Sequence, residues 1–240
     1  MKYRLSKLIC FCLVGMLTGC GLIDMEFDPI TQQIISMQFN YDTVYVMKGD
    51  TFFLAPYIYP DTVSNTTMYM KSFDEQVVGV QNDTIFAAEE GTTQVVAVSV
   101  SHGLADTCTV IVLSRWDDIL ERKREFSNDM VVYAHILVDG FAPGSKMIFG
   151  AFCDDEVRGL AEPMKDDRSL YRFRIWSDEF HVSGDDPGTE EITFRGYNPR
   201  TLQMTTTNSL KIRFDGESHG TPSKPLELTF KEYAPVNKEE

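Results

Sequence analysis

The sequence predicts an all-β protein of two tandem β-sandwich domains. Three observations lead there. Short apolar runs alternate with polar positions at the two-residue period of a half-buried strand. Clusters of Gly, Asn, Asp and Pro punctuate those runs at short intervals. Only one brief segment, beginning near Trp116, carries apolar residues at helical spacing.

The first residues stand apart from that pattern. Lys2, Arg4 and Lys7 precede the apolar stretch Leu8 to Met16, which is too short to cross a bilayer as a mature helix. Leu17-Thr18-Gly19-Cys20 comes next and resembles a lipobox, the motif read by lipoprotein signal peptidase. The resemblance implies that residues 1–19 are removed and that Cys20 becomes the lipidated first residue. An ordinary secretory signal with an incidental cysteine is the alternative. Two or three acyl chains anchor a protein stably, whereas one alone holds only marginally.

Residues 20–34 read as a tether, since Asp24, Glu26, Asp28 and Pro29 interrupt any apolar period. Acidic residues just after the lipidated cysteine resemble the surface-export signal of Bacteroidota lipoproteins. A polar spacer without an address is the other reading. Gly21 stands where an aspartate would favour inner-membrane retention. The expected location is therefore the outer membrane, on the cell surface, with the membrane as a partner through the lipid alone.

The chain carries 36 acidic against 22 basic residues, a formal charge of −14, and loss of Lys2, Arg4 and Lys7 makes it more negative still. A nucleic-acid binder needs the opposite balance, to displace counterions from phosphates. Of the five cysteines, Cys10 and Cys12 leave with the signal and Cys20 takes lipid. Cys108 and Cys153 remain, in different expected domains and without metal-ligand spacing. Buried free thiols are expected for both, with a disulfide as the alternative.

The first sandwich is expected over residues 35–113. Val44 and Val46, then Phe52 and Leu54, flank a turn at Lys48-Gly49-Asp50. Val78, Val80 and Ile85 surround a second turn at Asn82-Asp83. Val95 to Val100 is a β-branched run, and Cys108, Val110 and Val112 share one face of a closing strand. This stretch resembles the bacterial Ig-like group 2 domain. The matching pieces are Val44 to Asp50, Tyr57-Ile58-Tyr59-Pro60, Lys71 to Val80, Phe86 to Thr92 and Thr107 to Val112. Met70 replaces the tryptophan usual in that family, and Asn82-Asp83 replaces a common glycine. The resemblance implies an immunoglobulin-like fold and, by analogy alone, a stalk or adhesive role.

Residues 114–127 read as a short helical connector. Ser114 is the candidate cap, and Trp116, Ile119 and Leu120 are expected on one apolar face between the domains. An amphipathic partner-binding helix is the alternative.

The second sandwich is expected over residues 128–230. Val132, Ala134, Ile136 and Val138 alternate with a mixed face that includes Tyr133 and His135. Further strands are expected at Met147 to Phe152, Leu170 to Trp176, Glu191 to Tyr197, Leu210 to Phe214 and Leu226 to Phe230. Phe149-Gly150-Ala151-Phe152, Asp155 to Gly159, Glu191 to Phe194 and Gly220 to Leu228 resemble a module that recurs in Bacteroidota surface proteins. That pattern often places a cysteine where Val157 stands, so any disulfide role of Cys153 does not carry over. Residues 231–240 read as a polar tail.

Nothing in the chain spells catalysis or a cofactor site. The four histidines, His102, His135, His181 and His219, show no metal-ligand spacing and are expected to face solvent. No nucleophile elbow, phosphate loop or dinucleotide fingerprint is present. The acidic turns Asp154-Asp155-Glu156 and Asp185-Asp186 do not fit a calcium loop and are read as solvated turns. Asp42-Thr43-Val44, Asp61-Thr62-Val63 and Asp83-Thr84-Ile85 match the Asp-Thr-aliphatic motif that Bacteroidota use for O-glycosylation. Thr43, Thr62 and Thr84 are thus candidate modification sites, although turn-to-strand transitions select the same residues.

The expected function is that of a non-catalytic surface lipoprotein, serving as an adhesion, assembly or spacer module. The alternative is an accessory glycan-binding lipoprotein of a polysaccharide-uptake system. Its candidate ligand residues are Trp176 and Tyr197 as aromatic platforms, with Arg172, Arg174 and Arg195 as polar neighbours. A core role for Trp176 stands against that alternative.

Overall fold

The computed structural model describes residues 34–63, 67–165, 167–178, 190–207 and 210–232. The expected signal peptide, Cys20, the expected tether up to residue 33, His181, Asp185-Asp186 and the expected tail from residue 233 lie outside the described residues.

The first half is a sandwich. Strands β1 (Ser36–Gln38), β2 (Thr43–Met47), β3 (Thr51–Phe53), β4 (Tyr57–Tyr59) and β5 (Met68–Ser72) are followed by β6 (Val78–Gln81), β7 (Thr84–Ala87), β8 (Gly91–Ser99) and β9 (Leu104–Leu113). One sheet runs β2-β9-β8-β5 and the other β3-β7-β6, with β1 and β4 as a separate ribbon. Four strands facing three is the immunoglobulin-like arrangement. The period-two pattern sets the faces: Val95 and Ala97 of β8 and Cys108, Val110 and Val112 of β9 point inward and are buried. Asn82 turns the β6–β7 hairpin with φ 53, the left-handed conformation that a glycine would otherwise supply.

The second half is also a sandwich. Its strands are β10 (Asn128–Val138), β11 (Ile148–Cys153), β12 (Glu156–Met164), β13 (Asp167–Ser177), β14 (Glu191–Asn198), β15 (Gln203–Thr206), β16 (Ile212–Arg213), β17 (Ser218–His219) and β18 (Leu226–Phe230). Strand β12 belongs to both layers. Val157 to Leu160 pair with β11, and Ala161 to Met164 pair with β13. The crossing needs Gly159, where a Cβ would lie 2.3 Å from the Arg174 carbonyl oxygen. Aromatic rings hold the layers together: Phe173 meets Phe194 at 5.1 Å, and Phe149 meets Tyr171 at 5.5 Å and Phe230 at 5.1 Å.

Between the halves runs a helical segment, α1 (Ile119–Arg122) flanked by 3-10 turns at Trp116–Asp118 and Lys123–Glu125. Two expectations change here. The segment begins after Arg115, and no side chain caps it, so Ser114 has no capping role. Leu120 is 46% exposed, whereas Trp116 and Ile119 are 2% exposed. The 3-10 turn explains this. At three residues per turn, positions 116 and 119 eclipse and position 120 rotates away from the core.

The first sandwich's core extends into the second, which also keeps a core of its own around Phe173, Phe194 and Phe230. Trp116, Ile119, Phe152, Val157, Tyr197 and Leu202 pack in the same cluster as Val44, Val46 and Met47. Trp116 is the centre, with its ring 5.0 Å from Phe152 and 6.1 Å from Tyr197. Gly150 makes room for it, since a Cβ there would meet Phe152 at 2.8 Å and Trp116 at 3.3 Å.

Backbone groups complete the joint. β2 is the edge of its sheet, and an open edge carries unpaired N–H and C=O groups. The Tyr45 N–H donates to the Leu202 carbonyl at 2.9 Å. The Tyr197 hydroxyl donates to the Tyr45 carbonyl at 3.0 Å, and the Gln203 amide to the Thr43 carbonyl at 2.9 Å. Leu202 reaches this position with φ 55, a left-handed conformation that a bulky side chain resists by roughly 1–3 kcal/mol.

Truncation of Trp116 to alanine is expected to destabilise the whole chain by about 3–5 kcal/mol, the cost of removing a buried ring from the cluster that draws side chains from both halves. Urea unfolding followed by far-ultraviolet circular dichroism measures it. The transition is expected to lose cooperativity as well as midpoint, because that cluster is what couples the halves.

Candidate functional site

Strand β13 places the candidate ligand residues. Arg172, Arg174 and Trp176 stand two residues apart, so all three point out of the second sandwich on one face. Their cross-strand partners on β10 are Tyr133, Val131 and Asp129. Tyr197 is not with them. It is 2% exposed, and its hydroxyl serves the joint. Burial pushes its phenol well above the ordinary tyrosine range. A platform for an external ligand must be exposed, so Tyr197 is a joint residue. Arg195 also lies elsewhere, with its guanidinium 4.5 Å over Phe152 and bonded to Asp155 at 2.9 Å.

Around Trp176 lies an open groove of about 300 Å³. Trp176 and Phe126 supply its aromatic surface, both half-buried. Asp129 and Arg174 form a bidentate pair on its wall, with Arg174 Nε donating to one carboxylate oxygen at 2.9 Å and Nη2 to the other at 3.0 Å. Lys123 and Asn128 complete the polar lining. Beside the pair, Arg172 bonds Glu162.

A buried arginine supports the groove. Arg158 is 8% exposed, with its guanidinium 5.0 Å over the Phe126 ring. Its Nη2 donates to Glu190 at 2.9 Å, and Glu156 lies at 3.3 Å. Its Nε is buried with no hydrogen-bond partner among the described residues. The Ser177 hydroxyl donates to the other oxygen of Glu190. Phe126 is thereby stacked against a fixed cation, which orients its ring.

Phe126, Asp129, Arg158 and Glu190 escaped the sequence reading. The period-two pattern of β10 puts Asp129 outward with Val131 and Tyr133, which was a usable signal. That Asp129 faces Trp176 depends on the β10–β13 register, which no local pattern encodes.

Other titratable residues resolve plainly. Cys108 is buried in the first core and Cys153 borders the second. Burial raises the Cys153 thiol pKa. His102 accepts or donates at Ser101 and Ser99 in a turn, and His219, on β17 and not in the expected turn, lies 2.9 Å from Asp215. Among the described residues no group of three His, Cys, Asp or Glu side chains could hold a metal. Thr62 is exposed, whereas Thr43 and Thr84 are half-buried at strand starts.

One constellation was unforeseen. The Ser169 hydroxyl is 2.7 Å from His135 Nε2 and 2.6 Å from Asp167 Oδ1. Catalytic triads run carboxylate to imidazole to hydroxyl. Here the carboxylate meets the hydroxyl directly and also accepts the Ser169 N–H at 2.8 Å, which is the geometry of a turn. Those bonds hold the Asp167 carboxyl below its ordinary range.

No protein-family model and no curated protein matches the chain. Solved structures give loose likenesses. Surface layer protein SbsC, domains 4 to 9, matches at TM-score 0.27 and 12% identity over 79% of this chain and 32% of that one. The N-terminal eight Ig domains of Down Syndrome Cell Adhesion Molecule match at TM-score 0.23 and 10% identity, over 74% and 27%. The Bacteroides ovatus protein SGBP-B of a mixed-linkage glucan utilization locus, in complex with a mixed-linkage heptasaccharide, matches at TM-score 0.23 and 11% identity, over 85% and 46%. The chain thus spans about a third of the first of these. At these scores the likenesses bear on neither fold nor function, and the fold stands on the strand order described above.

Arg158→Ala is expected to cost about 3 kcal/mol, because it strands the Glu190 carboxylate without its cation. Arg158→Met, which keeps the packing under Phe126, is expected to recover part of that in thermal unfolding at pH 7, since lost packing is separable from lost charge.

Proposed function

We propose that this chain is a non-catalytic, lipid-anchored surface module whose fused sandwiches form a stiff arm for adhesion or assembly. The observation that carries the reading is the joint. A flexible tandem of domains leaves its edges free, whereas here the second sandwich closes the edge of β2 and contributes side chains to the first one's core. Such a unit holds a binding face at a fixed orientation. The lipobox ending at Cys20 supplies the anchor, and among the described residues no helix is long and apolar enough to cross a membrane.

The groove at Trp176 favours a second reading, in which the arm captures a glycan. Sugar sites pair an aromatic surface with planar polar groups that fix hydroxyl orientation. Trp176 and Phe126 offer the first, and the Arg174–Asp129 pair offers the second.

Protease shaving of intact cells tests the surface assignment, with Cys20→Ala as the unanchored control. Loss of the wild-type chain while periplasmic markers survive is the expected outcome, together with release of the Cys20→Ala chain from the membrane fraction. Full protection until lysis overturns the proposal.

A further inference from the structure

We infer that the Trp176 groove is one end of a longer site, and that the second sandwich takes an extended oligosaccharide laid along β13 rather than a single sugar; the inference rests on the glycan-capture reading above. The second platform is Tyr133. It pairs with Arg172 across the β10–β13 register and stands on the same outward face of β10 as Asp129, the cross-strand partner of Trp176. Tyr133 is half-buried and belongs to neither hydrophobic core. Its hydroxyl has no hydrogen-bond partner among the described residues, which leaves it open to a ligand. From Trp176 the path to Tyr133 runs one strand across and four residues along, so the two aromatic residues are rooted about 14 Å apart.

That span sets the ligand. A mono- or disaccharide covers one platform and leaves the other bare, whereas a straight chain of about four rings covers both. Between the platforms β13 presents Arg174 and Arg172 on alternate residues, both exposed. Asp129 holds Arg174 through bonds at 2.9 and 3.0 Å, and Glu162 holds Arg172. A guanidinium has five N–H donors, and the Asp129 pair uses two of those on Arg174. The rest can donate to ring hydroxyls, while the acids that fix the guanidiniums accept from the same hydroxyls. Groups already held in place lose little freedom when the chain settles on them. Val131, opposite Arg174, gives the middle of the path an apolar floor.

Titration calorimetry on the full chain, solubilised in a sugar-free detergent, tests this with cello-, manno- and xylo-oligosaccharides from the disaccharide upward. In at least one series the affinity is expected to rise by about tenfold between the disaccharide and the tetra- or pentasaccharide and then to level off, since contact with a second aromatic ring is worth about that much. Tyr133→Val keeps a strand-forming residue. It is expected to weaken pentasaccharide binding by about tenfold and to leave disaccharide binding unchanged, which also shows that the variant folds. Should it misfold, the length series of the wild-type chain decides alone. Affinity that does not change with length, or pentasaccharide binding indifferent to Tyr133→Val, overturns the inference and leaves glycan capture standing as long as Trp176→Ala loses binding. Flat isotherms for every sugar, or binding that survives Trp176→Ala, overturn glycan capture at this groove and the inference with it.

Discussion

The open edge of β2 is the constraint on which the rest of this structure depends. A strand with one sheet neighbour exposes alternate N–H and C=O groups, and each must be bonded or hydrated. Here the β14–β15 hairpin supplies the partners, through the Leu202 carbonyl, the Tyr197 hydroxyl and the Gln203 amide. Once those bonds form, Tyr197 and Leu202 join Trp116 and Met47 in the first sandwich's core, while the second sandwich keeps a core of its own. Left-handed Leu202 is a local cost accepted to make the contact. The helical segment is short because its task is only to deliver Trp116 and Ile119 to that point.

The fold was largely legible in the sequence because its dominant signal is a face. Alternation of Val132, Ala134, Ile136 and Val138, or of Cys108, Val110 and Val112, fixes which side of a strand is buried without knowledge of its neighbours. Turn chemistry was legible for the same reason, and Asn82 does locally what a glycine would do. What failed were features that depend on distant partners. β12 was hidden because its residues serve two layers in turn, so no single alternation runs through it. Leu120 was misplaced because a 3-10 turn changes the angular spacing that an α-helical reading assumes.

The candidate site divides in the same way. Arg172, Arg174 and Trp176 share one face of one strand, and period two alone groups them. Tyr197 looks equivalent on its own strand, since nothing local distinguishes an aromatic residue that faces solvent from one that faces a neighbouring domain. The groove's other wall comes from β10 and from the end of the helical segment, and the β10–β13 register decides that Asp129 opposes Trp176. Stiffness and site are linked through Phe126. It ends the segment that begins with Trp116, and Arg158 stacks beneath its ring.

Native-state hydrogen exchange at the Tyr45 amide addresses the central claim most directly. This N–H lies on the open edge of β2, and its partner is the Leu202 carbonyl of the second sandwich. If the sandwiches form one rigid body, the amide exchanges only through global unfolding, with the same protection as core amides of β8 such as Val95. Exchange much faster than those core amides would mean that the joint opens while both sandwiches stay folded, and the picture of a stiff arm would be wrong.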